Sequence, residues 1–195
     1  MKHHLFPWWL GYFLLNPLRY LVEPPTKLLA PHVSEDMRVL EVGCGPGFFS
    51  LPLARLVGKD GQVYCLDLQS RMLAILQRRA KKAGLNDRVV VRVCQEERLG
   101  LEELKEKFDF ASACHVVHEI KDKARLFTEI YSAMKPKANL LVVEPKHVVK
   151  PEEFQETLSI AKSAGFALTA RQDSRRNYLA ILTINAKEGA FPQPV

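Results

Sequence analysis

The chain has 195 residues, which suits one domain with a modest extension and excludes two independent cores. Hydrophobic residues make up 47%, enough to bury a core without disulfide or metal staples, so intrinsic disorder is excluded. The formal net charge is +6, a mild basic excess rather than the dense positive field of a dedicated nucleic-acid binder.

Residues 1–36 differ in kind from the rest. They carry Trp8, Trp9, Tyr12, Phe13 and Tyr20 among several prolines, a pattern that predicts one or two short helices packed on the following domain. Three roles are open for this extension: a core-capping segment, a lid or pocket wall, or a foot resting on a membrane surface. The apolar run from Leu5 to Val22 is interrupted by Gly11, Asn16, Pro17 and Arg19, so a spanning helix is not expected, and no small-residue cleavage site follows. A cytoplasmic location is the expectation.

From Arg38 the sequence alternates short β-branched apolar runs with stretches of helical period, the pattern of βα repeats around a mostly parallel sheet. A Rossmann-like α/β fold follows, with helices on both faces of seven strands. Strands are expected near 38–43, 62–67, 88–93, 108–114, 139–144, 166–172 and 177–185, and helices near 48–57, 70–83, 99–106, 122–134 and 151–164. Gly58 and Gly84 close the first two helices, Pro136 and Gly165 follow the last two, and Pro151-Glu152-Glu153 reads as a helix start. Only a short polar connector, Asp173 to Asn177, separates the last two strands, so they should form an antiparallel hairpin at the end of the sheet. The domain is placed at 37–186 and a tail at 187–195. The basic run Arg78-Arg79-Ala80-Lys81-Lys82 reads as a solvated helix face, and Arg175 and Arg176 as a hairpin tip.

The most informative stretch is Val39-Leu40-Glu41-Val42-Gly43-Cys44-Gly45-Pro46-Gly47, a strand running into a glycine-rich bend ahead of a helix. Glycines there permit positive φ and let a ligand approach the main chain, while amides at the helix start offer donors. The spacing is G-x-G-x-G rather than the dinucleotide G-x-G-x-x-G. Asp67 ends the second strand, where a carboxylate can accept both hydroxyls of a ribose. The four cysteines include no C-x-x-C pair, which disfavours a zinc ribbon, and no metal is assigned. Cys44, Cys94 and Cys114 do fall at strand ends on one edge of the sheet. Ordinary core packing explains them, and a soft metalloid site is the alternative.

These segments, with Val63-Tyr64-Cys65-Leu66-Asp67 to Leu73, Phe108-Asp109-Phe110 leading to His115-Val116-Val117-His118-Glu119, and Met134-Lys135-Pro136 to Pro145, resemble the class I S-adenosylmethionine-dependent methyltransferases. Within that superfamily they are most similar to the small-molecule enzymes of the ubiquinone/menaquinone-biosynthesis type. The resemblance implies S-adenosyl-L-methionine as cofactor. Gly43, Gly45 and Gly47 would bend around its methionine end and ribose, and Glu41 would reach toward its amino group. Asp67 would hold the ribose hydroxyls, while Leu68 and Met72 would pack on the adenine. Gln95, where many relatives have Asp, would face the exocyclic amine, with Glu96 beside it. The main chain near Cys114 would meet the methionine portion. Another departure, Lys137-Ala138-Asn139 where relatives commonly carry Gly-Gly, concerns a turn.

Methyl transfer from this cofactor mainly requires an acceptor held in line with the methyl group. A base is needed only for a phenol, an alcohol or a protonated amine, and His115 and His118 are the candidate catalytic groups. His118 is open to a structural, helix-capping role as well, and His147 to a place on the acceptor side. The chain has no Asn/Asp-Pro-Pro-Tyr/Phe element after the fourth strand and no Pro-Cys pair, which places RNA second, and the aromatic amino-terminal segment points to a small, partly hydrophobic acceptor, with a non-catalytic cofactor-binding protein as a further alternative.

Overall fold

A computed structural model describes residues 24–184. Among these residues the chain forms β1 (Arg38–Val42), β2 (Gln62–Asp67), β3 (Val89–Val93), β4 (Phe108–Cys114), β5 (Met134–Pro145), β6 (Phe166–Arg171) and β7 (Asn177–Ile184). Its α-helices are α1 (Pro25–Leu29), α2 (Ser50–Leu56), α3 (Ser70–Lys82), α4 (Lys123–Ala133) and α5 (Pro151–Ser163). The strand order is β3-β2-β1-β4-β5-β7-β6. All pairings up to β4–β5 are parallel, while β7 runs antiparallel between β5 and β6. The hairpin expected at the end of the sheet is thus present. Its second strand is inserted beside β5, and β6 becomes the edge.

The period-two alternation of the central strands sorts their side chains onto two faces. Leu40, Val42, Ala111, Leu140 and Val142 face a cluster with Leu126, Phe127 and Phe154 from α4 and α5. Val39, Phe110, Leu141 and Val143 face a second cluster with Leu53, Ala54, Leu73 and Leu76 from α2 and α3. Burial of each such side chain contributes roughly 1.5–3 kcal/mol. Leu29 and Val33, in the segment before β1, are buried in the second cluster, and His32 stacks on Phe110. The aromatic stretch before residue 24 and the tail 187–195 lie outside the described residues, as does any membrane contact made there.

The helix starts follow their local chemistry. Asp122 precedes α4 and accepts from the Arg125 amide at 2.9 Å, and Glu153 in the first turn of α5 accepts from the Lys150 amide at 2.8 Å.

Three details differ from expectation. The segment 99–106 forms turns, not a helix. Leu99 and Leu101 are both buried, and the Glu129 carboxylate accepts from the amides of Leu99 and Gly100, which fixes those amides to α4 instead of to a helical ladder. Strand β5 begins directly at Met134, so Pro136 lies within it, at an irregularity where Phe108 pairs with Met134 and Phe110 with Asn139. Lys137, at the position where glycine was noted in relatives, has a φ of 64°. In the basic run, Arg78, Lys81 and Lys82 are exposed as expected, whereas Arg79 is half-buried. Helical phase explains this, because Arg79 lies three residues after Leu76 and seven after Met72, both on the buried face of α3.

Candidate cofactor and active site

β1 and β4 are neighbours at the centre of the sheet, and the connections leaving them turn to opposite sides, which opens a crevice at their carboxyl ends. The bend after β1 is tied to β2, since the amides of Gly43 and Cys44 both donate to the Leu66 carbonyl, at 2.9 and 3.0 Å. Gly43, Gly45 and Gly47 have φ values of 70°, 52° and 90°, all in the left-handed region. A Cβ on Gly43 would stand 2.4 Å from Val116 Cγ2 and one on Gly47 2.4 Å from Leu76 Cδ1. All three glycines are therefore favoured by conformation, and Gly43 is required by close packing as well.

Asp67 lies across this bend. Its Oδ2 accepts from the Gly45 amide at 2.9 Å and its Oδ1 from the Gln69 amide at 2.8 Å. Burial raises its pKa, and the two backbone bonds oppose that rise. Each carboxylate oxygen retains a further lone pair for a ligand. A cavity of about 590 Å³ opens beside it, within the roughly 300–1,000 Å³ common for small-molecule sites.

The structure brings most of the candidate residues to this cavity. Gly43, Gly45, Asp67, Leu68, Met72, Gln95, Glu96, Cys114 and His115 line it. His115 follows β4 with a φ of 58°, its amide donating to the Val143 carbonyl at 2.7 Å and its ring edge-on to Phe49.

Three candidates sit elsewhere. Gly47 lies behind the bend, against α3. Glu41 lies beneath the bend, on the strand face it shares with Val39, where the Cys65 thiol donates to its Oε2 at 3.5 Å. Burial pushes its pKa up to about 7 against the opposing contact with Cys65, and the Asp67 charge adds to the rise. His118 turns away from the cavity to Glu144, with Nδ1 and Oε2 2.5 Å apart. Burial alone would lower its pKa, but the bond to Glu144 and the charges of Glu144 and Glu119 raise it overall. Glu144 also accepts from the Val117 amide at 2.9 Å, so the pair fixes the turn after β4. His147 is exposed and does not line the cavity.

Sequence reasoning missed Phe48, Phe49, Glu119, Lys121, Leu126 and Glu129 as lining residues. Lys121 and Glu96 form an ion pair, 2.5 Å between Nζ and Oε1, that joins two of the loops around the cavity. Glu144 was the legible signal for the partner of His118, a single acid in the apolar run Leu140 to Pro145. Among the described residues no group of three potential metal ligands assembles, and all four cysteines are free thiols.

Comparison with known families decides what this architecture is: the family described as "Methyltransferase domain" matches residues 33–184. The chain belongs to that methyltransferase family. It is 29% identical over 120 residues to a demethylmenaquinone methyltransferase of Lactiplantibacillus plantarum, covering 62% of this chain and 50% of the relative. It is 31% identical over 119 residues to a ubiquinone/menaquinone biosynthesis C-methyltransferase of Bordetella parapertussis, covering 61% of this chain and 45% of the relative. The chain thus spans about half the length of the curated relatives it matches. Among solved structures, a SAM-dependent methyltransferase from Aquifex aeolicus superposes with a TM-score of 0.83 at 26% identity, covering 92% of this chain and all of the other. The [4+2]-cyclase SpnF superposes with a TM-score of 0.71 at 19% identity, covering 83% and 80%, and shows the shared fold.

Family and neighbours imply S-adenosyl-L-methionine as the cofactor of this class I methyltransferase domain. The residues present suit such a molecule. Main chain bared by left-handed glycines, a carboxylate with spare acceptors at Asp67, and the apolar walls of Leu68 and Met72 match an amino-acid portion, a ribose and an adenine in turn.

Proposed function

We propose that the protein transfers a methyl group from S-adenosylmethionine to a small, partly hydrophobic acceptor. The observation that carries this reading is the Asp67 carboxylate held between the Gly45 and Gln69 amides at the wall of the cavity. The named substrates of the quinone-biosynthesis relatives favour a lipophilic acceptor, and Phe48, Phe49, Ile120 and Leu126 supply apolar wall for one.

When bound, the cofactor supplies an electrophilic methyl group. The protein's part is to bind, align and exclude water, and alignment can supply about 7–11 kcal/mol in favourable cases. In this reading Asp67 accepts from the ribose hydroxyls, Leu68 and Met72 sandwich the base, and Gln95 accepts from its amine. Glu41 supports the bend from below. His115, at the cavity wall, takes the acceptor's proton where one must leave, and His118 holds the turn that carries it.

The test is calorimetric titration with S-adenosylmethionine, followed by measurement of S-adenosylhomocysteine released with a soluble demethylmenaquinone analogue, a catechol and a structured RNA as acceptors. Turnover with one of the aromatic acceptors is expected. Absence of binding at millimolar cofactor overturns the reading, and turnover with RNA alone overturns the acceptor class.

A further inference from the structure

Three consecutive residues of the bend, Gly45, Pro46 and Gly47, are each held by the β2–α3 unit. Asp67 takes the Gly45 amide, Arg79 Nη1 donates to the Pro46 carbonyl at 2.5 Å, and the Leu76 side chain fills the space over Gly47. Glycine is the residue with most backbone freedom to lose, so a segment with three of them in five positions keeps one shape only if its surroundings impose it. The Asp67 and Arg79 contacts both carry a full charge on one partner, and such charge-assisted bonds are roughly twice as strong as neutral ones.

The same helix also builds the other half of the cavity. Met72 lines it at the first turn of α3, Leu76 follows a turn later, and Arg79 closes the row. These three share one helix face, so the helix spans from the adenine wall to the back of the bend. Arg79 does not line the cavity.

We infer that Arg79 is a positioning residue for the cofactor: by gripping the Pro46 carbonyl it keeps the Gly43–Gly47 main chain in the form that receives the methionine half of the ligand. The inference rests on the cofactor reading above and adds a residue to it. Its consequence is selective, because the adenosine half is met by Asp67 at the end of β2, by Leu68 just after it and by Met72 in the first turn of α3, a helix that the loss of Arg79 leaves packed.

The experiment compares wild type with Arg79→Met, which keeps the apolar stem, and Arg79→Lys, which keeps a charge able to reach one carbonyl. Calorimetric affinities for S-adenosylhomocysteine and for adenosine are measured alongside thermal melting. Arg79→Met is expected to weaken S-adenosylhomocysteine binding about tenfold and adenosine binding no more than about threefold, with Arg79→Lys in between. Equal losses for the two ligands, unchanged affinity for both, or Arg79→Lys no better than Arg79→Met each overturn it. Should Arg79→Met fail to fold, the same comparison of ligands on Arg79→Lys decides. A wild type that binds neither ligand refutes the cofactor reading itself, separately from the role of Arg79.

Discussion

The Asp67 carboxylate at the end of β2 and the Gly45 amide in the bend after β1 meet at 2.9 Å, so the residue expected to bind the ligand also braces the loop beside it. Asp67→Ala removes both functions. Cofactor affinity should fall roughly ten- to a hundredfold, since hydrogen bonds to a charged acceptor contribute about 1.5–3 kcal/mol. Titration calorimetry checks it, and unchanged affinity refutes the assignment.

His118 and Glu144 make a prediction about pH. The pKa of His118 is raised above its ordinary 6.5, so the protonated imidazole is preferred in the folded state. The pair's contribution to stability is complete below about 6.5 and disappears as pH rises through the higher folded value. Urea unfolding of wild type and His118→Gln from pH 5.5 to 9 should show a stability gap that narrows with increasing pH. A gap that is constant or widens counts against the pair.

Glu41 acts in the opposite sense to a surface acid. Its pKa is raised from 4.5 to about 7, so the folded protein binds a proton here that the unfolded chain has released. Its contribution therefore makes stability fall as pH rises between about 4.5 and 7, then level off. Glu41→Gln should flatten that part of the stability profile. If the variant's profile follows the wild type across this range, Glu41 does not carry the proton.

Lys137 should yield a stabilising substitution. Its φ of 64° lies where a side chain costs roughly 1–2 kcal/mol, while glycine loses some entropy on ordering. Lys137→Gly is expected to gain about 0.5–1 kcal/mol in chemical denaturation with cofactor affinity unchanged. A loss of stability would mean that Lys137 makes contacts that outweigh its strain.

Gly43→Ala should do harm that no rotamer change relieves, because the added Cβ would meet the β-branched Val116 at 2.6 Å from its own Cβ. Weakened cofactor binding together with a lower melting temperature is expected. Val116→Gly in the same chain, which removes the Cβ along with both methyls, should restore part of both, and an absence of any restoration would place the fault in backbone conformation alone.

Much of this molecule was legible because local and global signals agree. The strands alternate as their register demands, and Gly43 to Gly47, Asp67, Leu68 and Met72 follow one another along two βα units whose geometry is set locally. What was not legible depends on contacts far apart in the chain. Whether Leu99 to Glu106 forms a helix is decided by Glu129, some thirty positions on, which captures the amides of Leu99 and Gly100. The orientation of His118 is decided by Glu144, and that of Arg79 by a carbonyl 33 residues away. A motif of charges reads as solvated until the helix phase and the neighbouring loop are both known. No helix among the described residues is long and apolar enough to cross a membrane.

The insertion of β7 between β5 and β6 has a consequence for assembly. A chain emerging from the ribosome presents β5 with one flank unpaired until residues 177–184 arrive, although β6 has already been made and waits without a neighbour. The half of the sheet that holds the glycine bend can close early, whereas the flank behind Glu144 is sealed only by the last strand. Chains stopped near Gln172 should for that reason stick to one another through an open β5 rather than fold as smaller copies of the whole.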